Sequence, residues 1–174
     1  MMLPGDGHSR TASCLAMLLR GCFKTASLLE DELIIPQAPN LLLCSFPHGI
    51  VQAHSPIVIL PQEYSAFPKI VLPQNSVLVF DSQNINSVAW AAQSGLRILD
   101  CGLSSRSTLT FSSLGKESAV VALQRRVEDI NGQMVEPFEF PLRLQLEHPP
   151  YPLLCCTAVI ILSGQWKKLD GLLL

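Results

Sequence analysis

The sequence predicts an α/β fold: a doubly wound, mostly parallel sheet with an antiparallel β extension. Three observations predict it. Short continuous apolar runs bounded by turn residues recur through the first hundred residues. Stretches of helical period stand before and after them, and beyond Gly102 the chain turns to β-rich runs separated by turn signals. The 174 residues fit one domain, 1–174, long enough to bury a core without staples.

From Ser9 onward, Leu15, Leu18, Leu19 and Cys22 fall at i, i+3, i+4 and i+7, the spacing of one helical face, and Ser9 or Thr11 supplies an N-cap oxygen. After a turn at "EDE" and the Pro-flanked "IIPQAPN", the run "LLLCSF" reads as a strand buried on both faces. "PIVILP" and "NSVLVFDS" read the same way. Buried strands are therefore expected around Leu41 to Ser45, Pro56 to Leu60, Ser76 to Asp81 and, in "LRILDCG", Arg97 to Asp100, all in one sheet. Between the last two, Ile85, Val88, Ala89 and Ala92 mark one face of a helix, capped by Asn84 or Ser82 and stopped at Gly95.

"STLTFSSLG", "SAVVALQRRVED" and "QMVEPFEFPLRLQLE" then predict three antiparallel strands. In the last of them Phe138, Phe140, Leu142, Leu144 and Leu146 alternate with polar residues or proline, as in a half-exposed strand. A buried helix is expected from about Pro152 to Ser163. Its apolar run, Leu153 to Leu162, is about half the ~20 residues that cross a bilayer.

Apolar residues make up 48% of the chain and charged ones 15%, which leaves apolar surface available to a protein partner. A net charge of −2 without long runs of one sign argues against nucleic acid and membrane as partners. Cys14, Cys22, Cys44, Cys101, Cys155 and Cys156 form no CxxC pair and sit mainly in apolar segments, pointing to reduced thiols and a cytoplasmic setting. The start, "MMLPGDGHSR", lacks the pattern of a secretory signal and reads as part of the fold. His8, His48, His54 and His148 have no zinc-ligand spacing, so no metal site is expected. Ser45 and Cys44 beside His48 fix no triad, and "LSSRS" at Leu103 to Ser107 reads as a solvated turn.

"GDGHSRTA" leaves two readings open, a phosphate-binding loop that has lost its lysine or a polar turn capping a helix. A phosphate loop needs backbone N–H groups at a helix start, a lysine for the β/γ-phosphates and a hydroxyl for the metal. Here Ser9 stands at the glycine, Arg10 at the lysine and Thr11 at the hydroxyl.

The succession "GDGHSRTASCLAMLLR", "LLLCSFPHGIVQ", "PIVILPQEY" and "SVLVFDSQNINSVAWAAQSGLRILDCGLSSRSTLTF" resembles the central domain of the Mur ligases, ATP-dependent amide-forming enzymes of peptidoglycan synthesis, and of folylpolyglutamate synthetases. It extends over roughly Pro4 to Gly164 with no single motif intact. The resemblance implies a P-loop-like fold, a bacterial cytoplasm, and ATP with magnesium as cofactors. It places the family's magnesium glutamate near Cys44, its strand histidine at His48, one aspartate of N-x-D-D at Asp81 and the other at Ser82. The T-N-x-x-x-D-H segment becomes "LPQEYSAF", where Glu63 is the one carboxylate. The family's N-terminal nucleotide-sugar domain and C-terminal ligase domain have no counterpart in the sequence.

Together these readings imply a noncatalytic Mur-ligase-like protein with a residual nucleotide- or phosphate-binding loop at Gly7, His8, Ser9, Arg10 and Thr11 and a secondary site at His48 and Asp81. Any ATP and magnesium binding is expected to be weak. Two alternatives stay open: an ATP-dependent amide ligase or ATPase completed by a partner chain, and a protein-interaction module with no ligand.

Overall fold

The computed structural model describes residues 2–4, 9–29, 32–38, 40–46, 48–63, 69–169 and 172–174. Along the chain run β1 (Met2–Pro4), α1 (Arg10–Cys22), β2 (Thr25–Leu29), β3 (Glu32–Ile34), β4 (Leu41–Phe46), β5 (His48–Ile50), β6 (Ile57–Ile59), β7 (Lys69–Val71) and β8 (Val77–Asp81). There follow α2 (Ile85–Ser94), β9 (Arg97–Cys101), β10 (Leu109–Leu114), β11 (Ser118–Leu123), β12 (Val127–Glu128), β13 (Met134–Val135), β14 (Phe138–Arg143), α3 (Pro150–Leu162) and a 3-10 turn, Trp166–Leu169.

Among the described residues, ten strands form one sheet in the order β14-β11-β10-β9-β8-β6-β1-β4-β2-β3. Every pair from β10 across to β2 is parallel. The β10-β11-β14 end is antiparallel, as the β-rich segment predicts. A second antiparallel edge, β2 with β3, is not foreseen from sequence. Thr25–Leu29 shows neither strict alternation nor a continuous apolar run, and it is a strand because it pairs with β4, Thr25 opposite Leu41.

One face of the sheet carries α1 and α3. Leu15, Leu18 and Leu19 of α1 are buried as their spacing requires, while Cys22 is half-buried. In α3 every residue from Tyr151 to Leu162 is buried, since it packs on α1 and on β6, β8, β9 and β10. Burying each of these leucines contributes roughly 2 kcal/mol. Among the described residues no helix is long and apolar enough to cross a membrane.

The other face carries α2 over a smaller cluster of Val58, Leu60, Leu78, Phe80 and Ala91. Asn84 caps α2 by accepting from the N–H groups of Asn86 and Ser87, and Gly95 ends it at φ 64, a conformation that costs glycine little. The apolar face that the spacing marks is not the face that packs on the sheet. Ile85 is 80% exposed, Val88 41% exposed, and Ala92 is also exposed, whereas Ser87 and Ala91 are buried with Trp90 packed alongside. Small residues at i and i+4 let the helix lie close to Leu78 and Phe80, and that close approach outweighs the hydrophobicity of the opposite stripe.

Burial of "LLLCSF" on both faces also fails. Leu43 is fully buried on the α1/α3 side, but Leu42 is 54% exposed, because α2 covers β6 and β8 and stops short of β4.

Candidate functional site

β1 lies between β4 and β6, and the chain crosses from one flank of β1 to the other after β4. This is a topological switch point, where ligands of open α/β sheets bind beyond the carboxyl ends of the strands. α1 starts there. Ser9, in extended conformation, is its N-cap, and its Oγ accepts from the Ala12 N–H at 3.2 Å. Of the predicted loop, Gly7 and His8 lie outside the described residues; Ser9 and Thr11 are buried and Arg10 is exposed.

The partner of Ser9 and Thr11 is the Glu63 carboxylate, which follows β6. Its Oε2 accepts from Ser9 Oγ at 3.0 Å and Thr11 Oγ1 at 2.9 Å, and its Oε1 accepts from the Thr11 N–H at 3.3 Å. α1 has no acidic residue in its own first turn, so Glu63 supplies the negative charge that the positive end of the helix favours. Burial pushes the Glu63 carboxyl up. Its own backbone N–H, the Thr11 and Ser9 hydroxyls and the Thr11 N–H outweigh burial and hold it below the ordinary carboxylate range.

The residues before Glu63 are tied down on several sides. Leu60 donates its N–H to the Val79 carbonyl at 2.9 Å and receives the Tyr151 hydroxyl on its own carbonyl at 2.6 Å. Gln62 donates its N–H to Thr11 Oγ1 at 3.2 Å, and its side-chain amide donates to Asp81 Oδ2 at 3.1 Å. Asn84 in turn donates to the Gln62 carbonyl at 3.0 Å. Asp81, buried at the end of β8, also accepts from the Gln83 N–H at 2.8 Å. Asp81, which the resemblance singled out, stands at the end of β8 beside Gln62. His48 starts β5, which pairs with β7 in a separate two-stranded sheet; its side chain is outside the described part.

Beside Asp81 is a cleft of about 60 Å³ lined by Gln62, Asp81, Gln83, Gly102, Leu103, Pro150, Tyr151 and Leu154. It is well below the roughly 300 Å³ at which small-molecule pockets begin. Gly102 closes its wall, where a Cβ would lie 2.2 Å from Ser82 Oγ and 2.8 Å from Ser107 Oγ. Those two hydroxyls bond each other at 2.9 Å. In the "LSSRS" loop Ser104, Ser105 and Arg106 are exposed, and the Arg106 N–H bonds Ser104 Oγ, the pattern of a self-capped turn.

Among the described residues the donor set does not fit a magnesium ion with its nucleotide. Mg²⁺ calls for hard oxygen ligands in octahedral array. Cys44 on β4 is half-buried and offers a soft thiol, and burial pushes that thiol up, toward the neutral form. Both Asp81 oxygens and the Thr11 hydroxyl have protein partners. Among the described residues no three His, Cys, Asp or Glu side chains stand together as a metal cluster.

The decisive residue that sequence reasoning missed is Glu63. Its one signal was being the sole carboxylate of the "LPQEYSAF" segment, and nothing local tied it to Ser9 and Thr11, more than fifty positions away.

No protein-family model matches the chain, and no curated protein matches it by sequence. Among solved structures it is similar to the UDP-N-acetylmuramate:L-alanyl-gamma-D-glutamyl-meso-diaminopimelate ligase of Neisseria meningitides. That likeness has 12% identity and a TM-score of 0.52, and covers 94% of this chain and 60% of the ligase. A UDP-N-acetylmuramoyl-L-alanyl-D-glutamate–2,6-diaminopimelate ligase follows at 9% identity and TM-score 0.47, covering 94% of this chain and 42% of that one. The UDP-N-acetylmuramoylalanyl-D-glutamyl-2,6-diaminopimelate–D-alanyl-D-alanyl ligase of Acinetobacter baumannii gives 11% and 0.47, with 98% and 45% covered. The chain thus spans 60% or less of the length of these ligases. Over most of its length, this chain has a Mur-ligase-like fold, mixed parallel and antiparallel.

Proposed function

We propose that the chain is a noncatalytic counterpart of the Mur ligase central domain, whose α1 N-terminus retains weak affinity for phosphate, free or carried by a nucleotide. The observation that carries this reading is the convergence of Ser9 Oγ, Thr11 N–H and Thr11 Oγ1 on the two oxygens of a single anion. Such donors at a helix start accept a phosphate on the same terms as a carboxylate. Exposed Arg10 adds a positive charge beside them.

Turnover is a different demand. Phosphoryl transfer needs charge neutralised on the transferred group and both substrates held in line. Arg10 in place of the lysine, Cys44 in place of the metal glutamate and the small cleft at Asp81 all argue against it. Asp81 then adds a secondary contact, and ATP binds mainly through its phosphates with little help from magnesium.

Calorimetry at low salt with ATP, with and without magnesium, tests this reading. Arg10→Ala should weaken the interaction and Arg10→Lys should keep it, while phosphate release stays at background. Turnover abolished by Thr11→Ala would overturn the noncatalytic assignment in favour of a ligase or ATPase completed by another chain. Absence of heat at millimolar ATP would leave the protein-interaction module, which the exposed Leu28, Leu33 and Leu42 on neighbouring strands favour.

A further inference from the structure

We infer that Glu63 is a built-in competitor for the anion position at α1, so that a phosphate oxyanion binds only by displacing its carboxylate. The inference rests on the anion-site reading above and adds the control of that site.

The donors and the acceptor differ in their freedom. Ser9 is 8% exposed and Thr11 2%; Ser9 is fixed as the N-cap and Thr11 in the first turn of a thirteen-residue helix. Without an acceptor, these buried donors would bear the cost of unmet hydrogen bonds. Glu63, by contrast, is an exposed residue. The backbone just before it is anchored through Leu60 and Gln62, while its carboxylate, among the described residues, is held by the groups of Ser9, Thr11 and its own backbone N–H. Rotation of one exposed side chain therefore vacates the position without unpicking β6.

Two anions cannot share these donors, because like charges within a few ångströms repel and the hydroxyls of Ser9 and Thr11 have one proton each to give. The site consequently has two arrangements: one closed by Glu63, and one with an external oxyanion in its place and Glu63 turned to solvent. Gln62 couples the change to the neighbouring strand end, since it bonds Thr11 through its N–H and Asp81 through its side chain.

The test uses the full chain, inorganic phosphate as probe and amide NMR as readout, comparing wild type with Glu63→Gln and Glu63→Ala. Both substitutions are at an exposed position, and unchanged resonances across β8, β9 and α3 establish that the fold is intact. Before phosphate is added, each variant should shift the Thr11 amide. On titration, both should bind phosphate at least about tenfold tighter than wild type, the factor expected when a charge-assisted contact no longer competes.

A Thr11 amide unmoved by the substitutions overturns the inference, since the contact then does not exist in solution. Equal affinity in wild type and variants overturns it while leaving the anion site standing. An equal response to chloride at matched ionic strength also overturns it, reducing the effect to screening. Saturating phosphate that shifts neither Thr11 nor Ala12 in any variant overturns the anion-site reading, and the competition with it.

Discussion

The two faces of the sheet are built from the same strands but buried to different depths. On β6, Ile57 and Ile59 join the large cluster under α1 and α3, while Val58 and, just past the strand's end, Leu60 join the small cluster under α2. On β8, Val77 and Val79 face the first and Leu78 and Phe80 the second. Among the described residues, one face has two thirteen-residue helices, one of them buried almost throughout, and the other has a ten-residue helix. A continuous apolar run thus says that both sides of a strand have been made fit for burial. Whether both are buried depends on how far the covering helices reach, as Leu42 and Leu43 show by differing so sharply on one strand.

The largest expected effect is on the thicker side. Leu99→Ala, in the cluster under α3, should cost about 3–4 kcal/mol, because packed neighbours on every side cannot collapse into the cavity. Leu78→Ala, equally buried but under α2, should cost about 2–3 kcal/mol, since a single short helix can settle into the space. Urea unfolding measures both, and equal costs would break the comparison.

Glu63 joins the two sides at the strand ends, through Thr11 of α1 and, by way of Gln62, Asp81 before α2. Its folded-state carboxyl is held below the ordinary value of 4.5, so the stabilisation it brings is present in full above that value and is lost as the pH falls through the lower, folded-state value. Wild type should therefore lose more stability than Glu63→Gln on acidification from pH 6 to about pH 3. Parallel acid limbs in denaturant titrations would show that the contact adds nothing to folding. The effect should be modest for a carboxylate with one side open to water.

The smallest effect belongs to the uncovered part of the thinner side. Leu42→Ala should change stability by no more than about 0.5 kcal/mol. A loss that exceeds this and grows with protein concentration would mean that a second copy covers this face in solution, and would sharpen the contrast between the two faces into an interface.

Much of the fold was legible because its elements are long enough to carry a period. α1, α3, β8 and the three antiparallel strands stand close to where apolar spacing and turn residues place them. β1, β5 and β7 have three residues each, too few to show alternation, and they exist because a neighbouring strand pairs with them. In the candidate site, Ser9 and Thr11 were legible because a helix cap is a local device. The inner face of α2 was not, because the preference for Ser87 and Ala91 arises from the shape of the sheet beneath them.

By itself, the sequence determined the class of fold, the order of its principal helices and strands and the polar start of α1, since all of these depend on residues within a few positions of each other. Only the tertiary structure decided which apolar residues stay in water and which anion sits at that helix start. Both depend on crossovers between distant segments: α2 ends short of β4, and the turn after β6 delivers Glu63 to Ser9 and Thr11. Local periodicity carries no record of where such a crossover lands, because its position is set by the packing of the whole sheet.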